Sequence, residues 1–284
     1  MTDLSPCSPD PPPAARSQPP RAAYIHVPFC GRRCGYCNFT VVANRPDLAE
    51  RYLEAIAREL AWLGWPRPVD TLYLGGGTPT QLTTDQLRRL LETVAAWHPL
   101  AAGGELTVEA NPTDLSRAKL SMLAASGTTR ISLGAQSFDD AKLEFLDRDH
   151  DARQIRRACD RARQYVDQIA LDLIYAVPGE TLETWSADLS AALATTADHL
   201  SVYSLTIEKG SPLYGPFRRG AFCEVASPQQ RSMLSLAIDR LTSAGFAHYE
   251  ISSFARPGRR CRHNETYWLG EEYFAAGPGA ARYV

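Results

Sequence analysis

The sequence predicts an α/β protein in which parallel strands alternate with helices. Six short apolar runs are each followed by a stretch of helical periodicity, as in repeated β–α units. The runs are apolar and only partly alternating, which is typical of strands that are covered on both faces. Six units fit either an open doubly wound sheet or a partial barrel, and both architectures place their chemistry at the carboxyl ends of the strands.

Each unit has its own local signals. The capping-box pattern of Thr83 and Gln86 predicts the start of the second helix, and the spacing of apolar residues predicts the others. The predicted strands are residues 22–27, 71–74, 106–110, 130–135, 168–174 and 199–205. The predicted helices carry stripes at Leu48, Tyr52, Leu53, Ile56, Leu60 and Leu63, at Leu87, Leu90, Leu91 and Val94, and at Leu182, Trp185, Leu189 and Leu193, or span residues 117–125, 152–165 and 228–244.

Composition narrows the class of protein. The 284 residues are 44% hydrophobic and 22% charged, which is enough apolar mass for a core. The formal net charge of -2 does not indicate a nucleic-acid partner. No apolar run approaches the roughly 18 residues of a membrane span. Residues 1–21 hold seven of the 20 prolines and predict a disordered tail, without the pattern of a secretory signal. We therefore expect a cytoplasmic protein, of undetermined oligomeric state.

Three cysteines lie within eight residues, Cys30, Cys34 and Cys37, in a C-x3-C-x2-C spacing. In a reducing compartment, clustered cysteines bind metal more often than they pair. An iron–sulfur cube ordinarily takes four cysteine ligands, so three would leave one iron open. The alternative is a structural zinc site that a histidine such as His26 completes. The remaining cysteines stand alone and predict ordinary thiols: Cys7, Cys159, Cys223 and Cys261.

Polar residues follow several of the predicted strands. A glycine triplet at residues 75–77 would let a ligand approach bare backbone, but it lacks the Lys-Ser/Thr ending of a phosphate loop. Glu109 and Asp172 are acids at strand ends among apolar neighbours, where burial demands a partner. Such carboxylates could accept hydrogen bonds from ribose hydroxyls or an ammonium group, or simply form a helix cap or salt bridge.

These motifs together resemble a known family. The stretches YIHVPFCGRRCGYCNF, LYLGGGTPT, VEANP, ISLGAQSF, LDLIYAVPGET and LTIEKGSPLY are similar to those of the oxygen-independent coproporphyrinogen III oxidase group of the radical S-adenosylmethionine (SAM) superfamily. Within that group the chain most resembles the HemW-type heme chaperones. The resemblance covers residue 22 to the last residue, and it implies a partial (β/α)6 barrel.

The resemblance also implies a role for individual residues. Cys30, Cys34 and Cys37 would ligate three irons of a [4Fe–4S] cluster, and the fourth iron would chelate the amino and carboxylate groups of S-adenosylmethionine. Asp172 would face the ribose. The residues that the resemblance places around the cluster and S-adenosylmethionine are Tyr24, Tyr36, Gly76, Gly77, Thr78, Glu109, Gln136, Arg148 and Asp172. No catalytic residue is implied beyond this cofactor set.

The choice of branch depends on two short segments. The oxidase branch has a further cysteine soon after the triad, where this chain has Asn38 and Phe39. The HemW-type branch has an H-N-x-x-Y-W motif, which occurs here at residues 263–268. His263 would then be an axial ligand of heme iron. The arginines that precede it and could pair with heme propionates are Arg256, Arg259, Arg260 and Arg262.

The resemblance therefore implies a heme chaperone that binds a [4Fe–4S] cluster, S-adenosylmethionine and heme and delivers heme to heme-accepting proteins. Peripheral membrane contact is left open. The alternatives are a coproporphyrinogen III dehydrogenase, which the missing cysteine disfavours, and a structural zinc protein. We expect residues 22–255 to form the barrel. Residues 256–284 would begin a C-terminal accessory region that is largely missing, because the family continues about a hundred residues further.

Overall fold

A computed structural model describes residues 19–283. Most of the predicted disordered tail, residues 1–18, and the isolated Cys7 therefore lie outside the described residues. The strands of the main sheet are β1 (Ala22–Val27), β2 (Val69–Gly76), β3 (Leu100–Ala110), β4 (Arg130–Gln136), β5 (Gln168–Tyr175), β6 (His199–Ser204), β7 (Ala247–His248), β8 (Ser253–Ala255) and β9 (Phe274–Ala276). A separate two-stranded parallel sheet pairs Phe29–Cys30 with Val42–Ala43. The helices are α1 (Ala49–Ala61), α2 (Thr84–Trp97), α3 (Arg117–Ala125), α4 (Asp140–Phe145), α5 (Ala152–Arg163), α6 (Leu182–Leu193), α7 (Tyr214–Arg218), α8 (Ser227–Ser243) and α9 (Arg262–Trp268).

The first six strands lie side by side in chain order and are all parallel. A doubly wound sheet reverses the direction in which strands are added, whereas a barrel adds them in one direction only. The order β1 to β6 therefore decides between the two predicted architectures. The protein has the partial (β/α)6 barrel arrangement.

Three short strands extend the two edges of this sheet. β9 pairs in parallel with β1, and β8 pairs antiparallel with β6 and carries β7 on its outer side. Part of the segment predicted to begin an accessory region thus adds a strand to the barrel sheet. The sequence did not indicate these strands, because two or three residues are too short for a recognisable period.

The local predictions are largely confirmed. Thr83 and Gln86 form both hydrogen bonds of a capping box at α2, and α3 has the predicted bounds. β2 and β3 begin earlier than predicted, at Val69 and Leu100. No helix within residues 19–283 is long and apolar enough to cross a membrane.

Side chains alternate strictly along the strands between a dry and a polar environment. On β4, Ile131, Leu133 and Ala135 pack in the hydrophobic core beneath the helices, whereas Arg130 and Ser132 line a central cavity. The same alternation holds for the neighbouring strands, because successive side chains point to opposite faces of a sheet. The inner face of the barrel therefore carries polar side chains among apolar ones, and it leaves room for a ligand.

A buried ion cluster joins α4 to α6 and the loop before it, near the carboxyl end of the barrel. The Lys142 Nζ lies 2.5 Å from a Glu180 oxygen and 3.0 Å from an Asp188 oxygen, and all three side chains are almost fully buried. Asp188 also accepts hydrogen bonds from the Ser137 hydroxyl and the Phe138 N–H. Because Ser137 and Phe138 directly follow Gln136, the cluster holds the end of β4 in place.

Replacement of Lys142 by methionine is expected to destabilise the protein strongly. The change leaves two buried carboxylates without a cation, which costs about 3–5 kcal/mol of unfolding free energy. Urea denaturation at pH 7 measures the loss. The matched control is Arg88→Met, which removes an exposed cation paired with Asp85 and Glu92 and should cost at most about 1 kcal/mol. Equal losses in the two variants would contradict the role of the cluster.

Candidate functional site

The central cavity has a volume of about 500 Å³ and runs from the carboxyl ends of the strands to their amino ends. Small-molecule sites in proteins typically enclose about 300–1,000 Å³. The loop that follows β1 forms one wall of its mouth and carries the three clustered cysteines. The hydrogen bonds that hold this loop include those from the Gly35 N–H to the Leu146 carbonyl and from the Leu213 N–H to the Gly35 carbonyl.

The three cysteines share this mouth. Cys30, Cys34 and Cys37 are free thiols, partly buried, and all line the cavity. Burial raises the pKa of Cys30 to about 11 and also raises the pKa of Cys37. Within residues 19–283, no three His, Cys, Asp or Glu side chains are grouped as ligands of one metal ion. The ligand sulfurs around an iron–sulfur cube lie farther apart than those around a single zinc ion. In a zinc site, each Zn–S distance is about 2.3 Å.

The histidine considered for a zinc site lies elsewhere. The Nε2 of His26 is 2.8 Å from the Thr40 carbonyl oxygen, and its Nδ1 is 3.4 Å from the Tyr24 hydroxyl. The ring packs under Gly76 rather than among the sulfurs. The structure thus does not place His26 with the cysteines as the fourth ligand of a zinc site.

Arg148 connects the cysteine loop to the barrel. Its Nη1 donates to the Cys34 sulfur at 2.8 Å, and its Nη2 donates to the Asn111 side chain and the Gly134 carbonyl. These hydrogen bonds tie the Cys34 sulfur to β4 and to the residue that follows β3. Tyr36, two residues beyond Cys34, packs with a second apolar cluster that includes Leu146.

The glycine triplet is required by close packing. A Cβ on Gly75 would lie 2.6 Å from the Glu109 carboxyl carbon, and one on Gly77 would lie 2.6 Å from the Val27 carbonyl oxygen. Gly76 has a φ of +97°, and a Cβ there would lie 2.3 Å from the His26 ring. Beyond the triplet, the Thr78 hydroxyl lies 3.7 Å from the Cys30 sulfur.

Glu109 and Asp172 are partly buried carboxylates that line the cavity. Glu109 accepts hydrogen bonds from the Tyr73 hydroxyl at 2.8 Å and from the Gly76 N–H at 3.0 Å. Burial, with repulsion from Asp172, raises the pKa of Glu109 to about 7, and burial raises the pKa of Asp172 to about 6. Neither carboxylate forms an ion pair with a Lys or Arg side chain in the described part of the chain. Both can therefore accept a cationic or hydroxyl-bearing ligand.

Gln136 lies on the same wall as these carboxylates. It has a left-handed φ of 65° and is buried, at the point where the pairing of β4 with β5 shifts register. The strained backbone turns its side chain into the cavity, and the Lys142 cluster in the next loop supports it. The remaining predicted cofactor residues that line the cavity are Tyr36, Gly76, Gly77, Thr78 and Arg148.

Two predicted site residues lie apart from the cysteines. The Tyr24 ring stacks on Tyr73 at 6.0 Å and does not line the cavity. His263 is buried at the amino end of the barrel, where its Nδ1 is 2.9 Å from the Thr71 hydroxyl and its Nε2 is 2.8 Å from the Tyr267 hydroxyl. Burial lowers the pKa of His263 to about 4. Its imidazole is therefore neutral, with both nitrogens engaged.

The arginines near His263 are also engaged by the protein. Arg259 pairs with Asp167, and Arg260 pairs with Glu265. Arg262 donates to the carbonyl groups of Asp70 and Gly103, and Arg256 lies over the Phe246 ring. They are not arranged around an open anion site.

Sequence reasoning missed the polar residues deeper in the barrel. The cavity is also lined by Asn111, Thr107, Arg130, Ser132, His199, Ser201, Tyr203 and Asn264. A usable signal was present, since R-I-S-L-G-A-Q and H-L-S-V alternate polar and apolar residues. Strands in a parallel sheet are usually apolar on both faces, so this alternation indicates a polar lumen.

The fold and the rim define a partial barrel that can hold a thiolate-bound metal cluster beside a cationic organic ligand. Comparison with known proteins agrees: the family model described as the radical SAM superfamily matches residues 24–192. The chain belongs to the radical SAM superfamily, in its HemW branch. Membership of this superfamily implies a [4Fe–4S] cluster and S-adenosylmethionine.

The relatives define that branch. The chain is 36% identical over 270 residues to the heme chaperone HemW of Bacillus subtilis, covering 93% of this chain and 71% of the relative. It is 39% identical over 279 residues to HemW of Mycobacterium tuberculosis, covering 93% and 70%. Among solved structures it is similar to the coproporphyrinogen III oxidase HemN of Escherichia coli, a radical SAM enzyme. That similarity has a TM-score of 0.80 and 25% identity and covers 94% of this chain but 65% of that one.

Proposed function

We propose that the protein is a heme chaperone that binds heme and delivers it to heme-accepting proteins, in the cytoplasm. The observation that carries this proposal is the 36–39% identity to HemW proteins over most of the chain. The H-N-x-x-Y-W motif at residues 263–268 supports it. We further propose that residues 22–255 act as the cofactor barrel and that residues 256–284 contribute the heme ligand.

In this proposal the mouth of the central cavity holds the cofactors. Cys30, Cys34 and Cys37 ligate three irons of the cluster, and the N–H of Arg148 stabilises the Cys34 thiolate. When bound, the cluster supplies an open iron corner and a source of electrons for S-adenosylmethionine. The shared mouth of the cavity and the absence of a sulfur–sulfur bond among these cysteines support the assignment.

The carboxylates orient the organic ligand. Without a ligand, Glu109 has a raised pKa. An ammonium group bound beside it lowers that pKa and so favours the ionised carboxylate. Asp172 accepts hydrogen bonds from ribose hydroxyls, with the Ser132 hydroxyl at 3.3 Å on its Oδ2. Gln136 offers an amide from the wall formed by β4.

Heme is proposed to bind through His263. A neutral imidazole is the form that ligates iron, and the lowered pKa of His263 keeps it neutral at pH 7. Binding requires the ring to leave Thr71 or Tyr267, since each holds one of its nitrogens. Trp268 and Leu269, which follow in the chain, are exposed large apolar side chains against which a porphyrin can pack.

Replacement of His263 by alanine is expected to weaken heme binding by about tenfold or more while the cluster spectrum stays intact. Heme titration of the reconstituted protein, followed by Soret absorbance, measures the change. His248→Ala is the matched control, because His248 is exposed and stacks on Phe254. Tyr267→Phe frees Nε2 and should not weaken binding. A heme affinity that is unchanged in His263→Ala would refute the ligand assignment.

The second candidate is an oxygen-independent coproporphyrinogen III dehydrogenase. The structural similarity to HemN of Escherichia coli favours it. The segment after Cys37 disfavours it, because Asn38 and Phe39 stand where the oxidase branch carries a further cysteine. An anaerobic turnover assay with coproporphyrinogen III separates the two candidates. Appreciable formation of protoporphyrinogen IX would favour the dehydrogenase over the chaperone. Metal analysis that finds zinc without iron or sulfide would exclude both candidate functions.

A further inference from the structure

The base of the central cavity, at the amino ends of the strands, carries polar atoms that the cofactor site does not use. Thr107, Arg130 and His199, here called the base cluster, line the cavity from β3, β4 and β6. Their exposed fractions are 0%, 1% and 2%. Each has at least one side-chain nitrogen or oxygen without a hydrogen-bond partner within residues 19–283.

Arg130 is held on one side only. Its Nη2 donates to a Glu105 oxygen at 3.1 Å and to the carbonyl groups of Arg259 and Arg260. Its Nε and Nη1 have no partner in this part of the protein. Buried donors of a guanidinium are costly to leave unsatisfied, so these N–H groups favour an acceptor in the cavity.

His199 adds a second donor. Its Nε2 lies 2.7 Å from the Tyr249 hydroxyl, which also accepts a hydrogen bond from the Cys261 N–H. With that hydroxyl donating to Nε2, the neutral ring carries its proton on Nδ1, which is unpartnered. The Thr107 hydroxyl is unpartnered as well and stands beside Arg130 in the strand register.

Arg130 is paired with the Glu105 carboxylate in a buried salt bridge, but this pairing leaves its Nε and Nη1 without an acceptor. The two carboxylate oxygens of Glu105, the ion-pair partner of Arg130, also accept hydrogen bonds at the start of α9. They accept hydrogen bonds from the N–H groups of Arg262 and His263 and from the Cys261 thiol. The two other carboxylates of the cavity, Glu109 and Asp172, lie nearer its mouth, on the cofactor level.

We propose that the base cluster binds the carboxylate of a small organic acid. Charge-assisted hydrogen bonds from a guanidinium to a carboxylate are strong and short. Glu105 already balances the charge of Arg130, and Glu109 and Asp172 lie in the same cavity, so the two free N–H groups suit the single charge of a monoanion better than a doubly charged phosphate. The site lies below the cofactor level and rests on the barrel interior alone, not on the proposed heme function.

The test uses the full chain, with the cluster reconstituted, and three probes: butyrate, its neutral isostere butyramide, and inorganic phosphate. Binding is measured by ligand-observed NMR at pH 7. Butyrate is expected to bind about tenfold more tightly than butyramide or phosphate, because only the carboxylate pairs with the guanidinium at single charge. Equal binding of butyrate and butyramide would overturn the proposal, and preferential phosphate binding would overturn the choice of carboxylate.

Two substitutions of opposite sign separate binding from a structural role. Arg130→Gln should weaken butyrate about tenfold, whereas Glu105→Gln removes the competing charge and should strengthen it about threefold. Arg89→Gln, an exposed arginine paired with Glu50, is the matched control and should change nothing. Loss in both Arg130→Gln and Glu105→Gln would overturn the proposal. If Arg130→Gln does not fold by circular dichroism, the gain in Glu105→Gln and the probe comparison decide it.

Discussion

Replacement of Cys34 by serine is expected to abolish assembly of the iron–sulfur cluster. A cube ordinarily takes four cysteine ligands, and this chain offers three on one loop. Two thiolates leave a second iron without a protein ligand, and a serine hydroxyl does not ionise to replace the sulfur. The change also removes the sulfur that Arg148 contacts at 2.8 Å. We expect complete loss of the brown chromophore after anaerobic reconstitution with iron and sulfide.

Absorbance near about 400 nm, the region of thiolate-bound clusters, measures this loss together with iron and sulfide content. Cys223→Ser is the matched control, because Cys223 is an exposed free thiol that does not line the cavity. It should retain the full spectrum. An undiminished band in Cys34→Ser would show that the three cysteines do not act as one ligand set.

Replacement of Glu109 by glutamine is expected to stabilise the cofactor-free chain at pH 8 and to weaken its binding of S-adenosylmethionine. Folding raises the pKa of Glu109 from 4.5 to about 7. The folded state therefore holds its proton more tightly than the unfolded state does. This stabilisation is full below about pH 4.5 and is lost as the pH rises through about 7. At pH 8 the ionised carboxylate is a net cost of about 3 kcal/mol, at about 1.4 kcal/mol per pKa unit.

Urea denaturation from pH 5 to pH 8 measures this prediction. Over that pH range, the unfolding free energy of the wild-type protein should decrease by more than the unfolding free energy of Glu109→Gln decreases. Isothermal titration of reconstituted protein should show S-adenosylmethionine bound about tenfold or more weakly, since the ammonium loses its anionic partner. Glu92→Gln, an exposed carboxylate paired with Arg88, is the control for both measurements. Identical pH profiles for wild type and Glu109→Gln would contradict the assigned burial cost.

Much of the fold could be predicted because its signals are local. The apolar stripe of α1 and the capping box at Thr83 depend on residues a few positions apart. The cysteine spacing and the glycine triplet are equally local. The edge strands β8 and β9 could not be predicted, because each joins the sheet by pairing with a distant strand, and β7 joins it only through β8.

The candidate site was predicted in part for the same reason. The motif residues at the rim converge because each follows a strand, and parallel strands end on one edge of the sheet. The placement of His263 could not be predicted. Its partner Thr71 lies 192 residues earlier in the chain, and nothing in the sequence between them indicates that contact.

The sequence by itself determined the parallel β–α units, the cysteine loop and the family to which the chain belongs, since these depend on residue types at short spacings. Only the tertiary structure decided that the strands form a partial barrel, that its lumen is polar, and that Arg130 and His199 face one cavity with unsatisfied nitrogens. The physical reason is that strand order and facing depend on which distant backbones exchange hydrogen bonds. A local pattern predicts a strand, but the strands that pair with it decide which of its faces packs in the core and which lines the cavity.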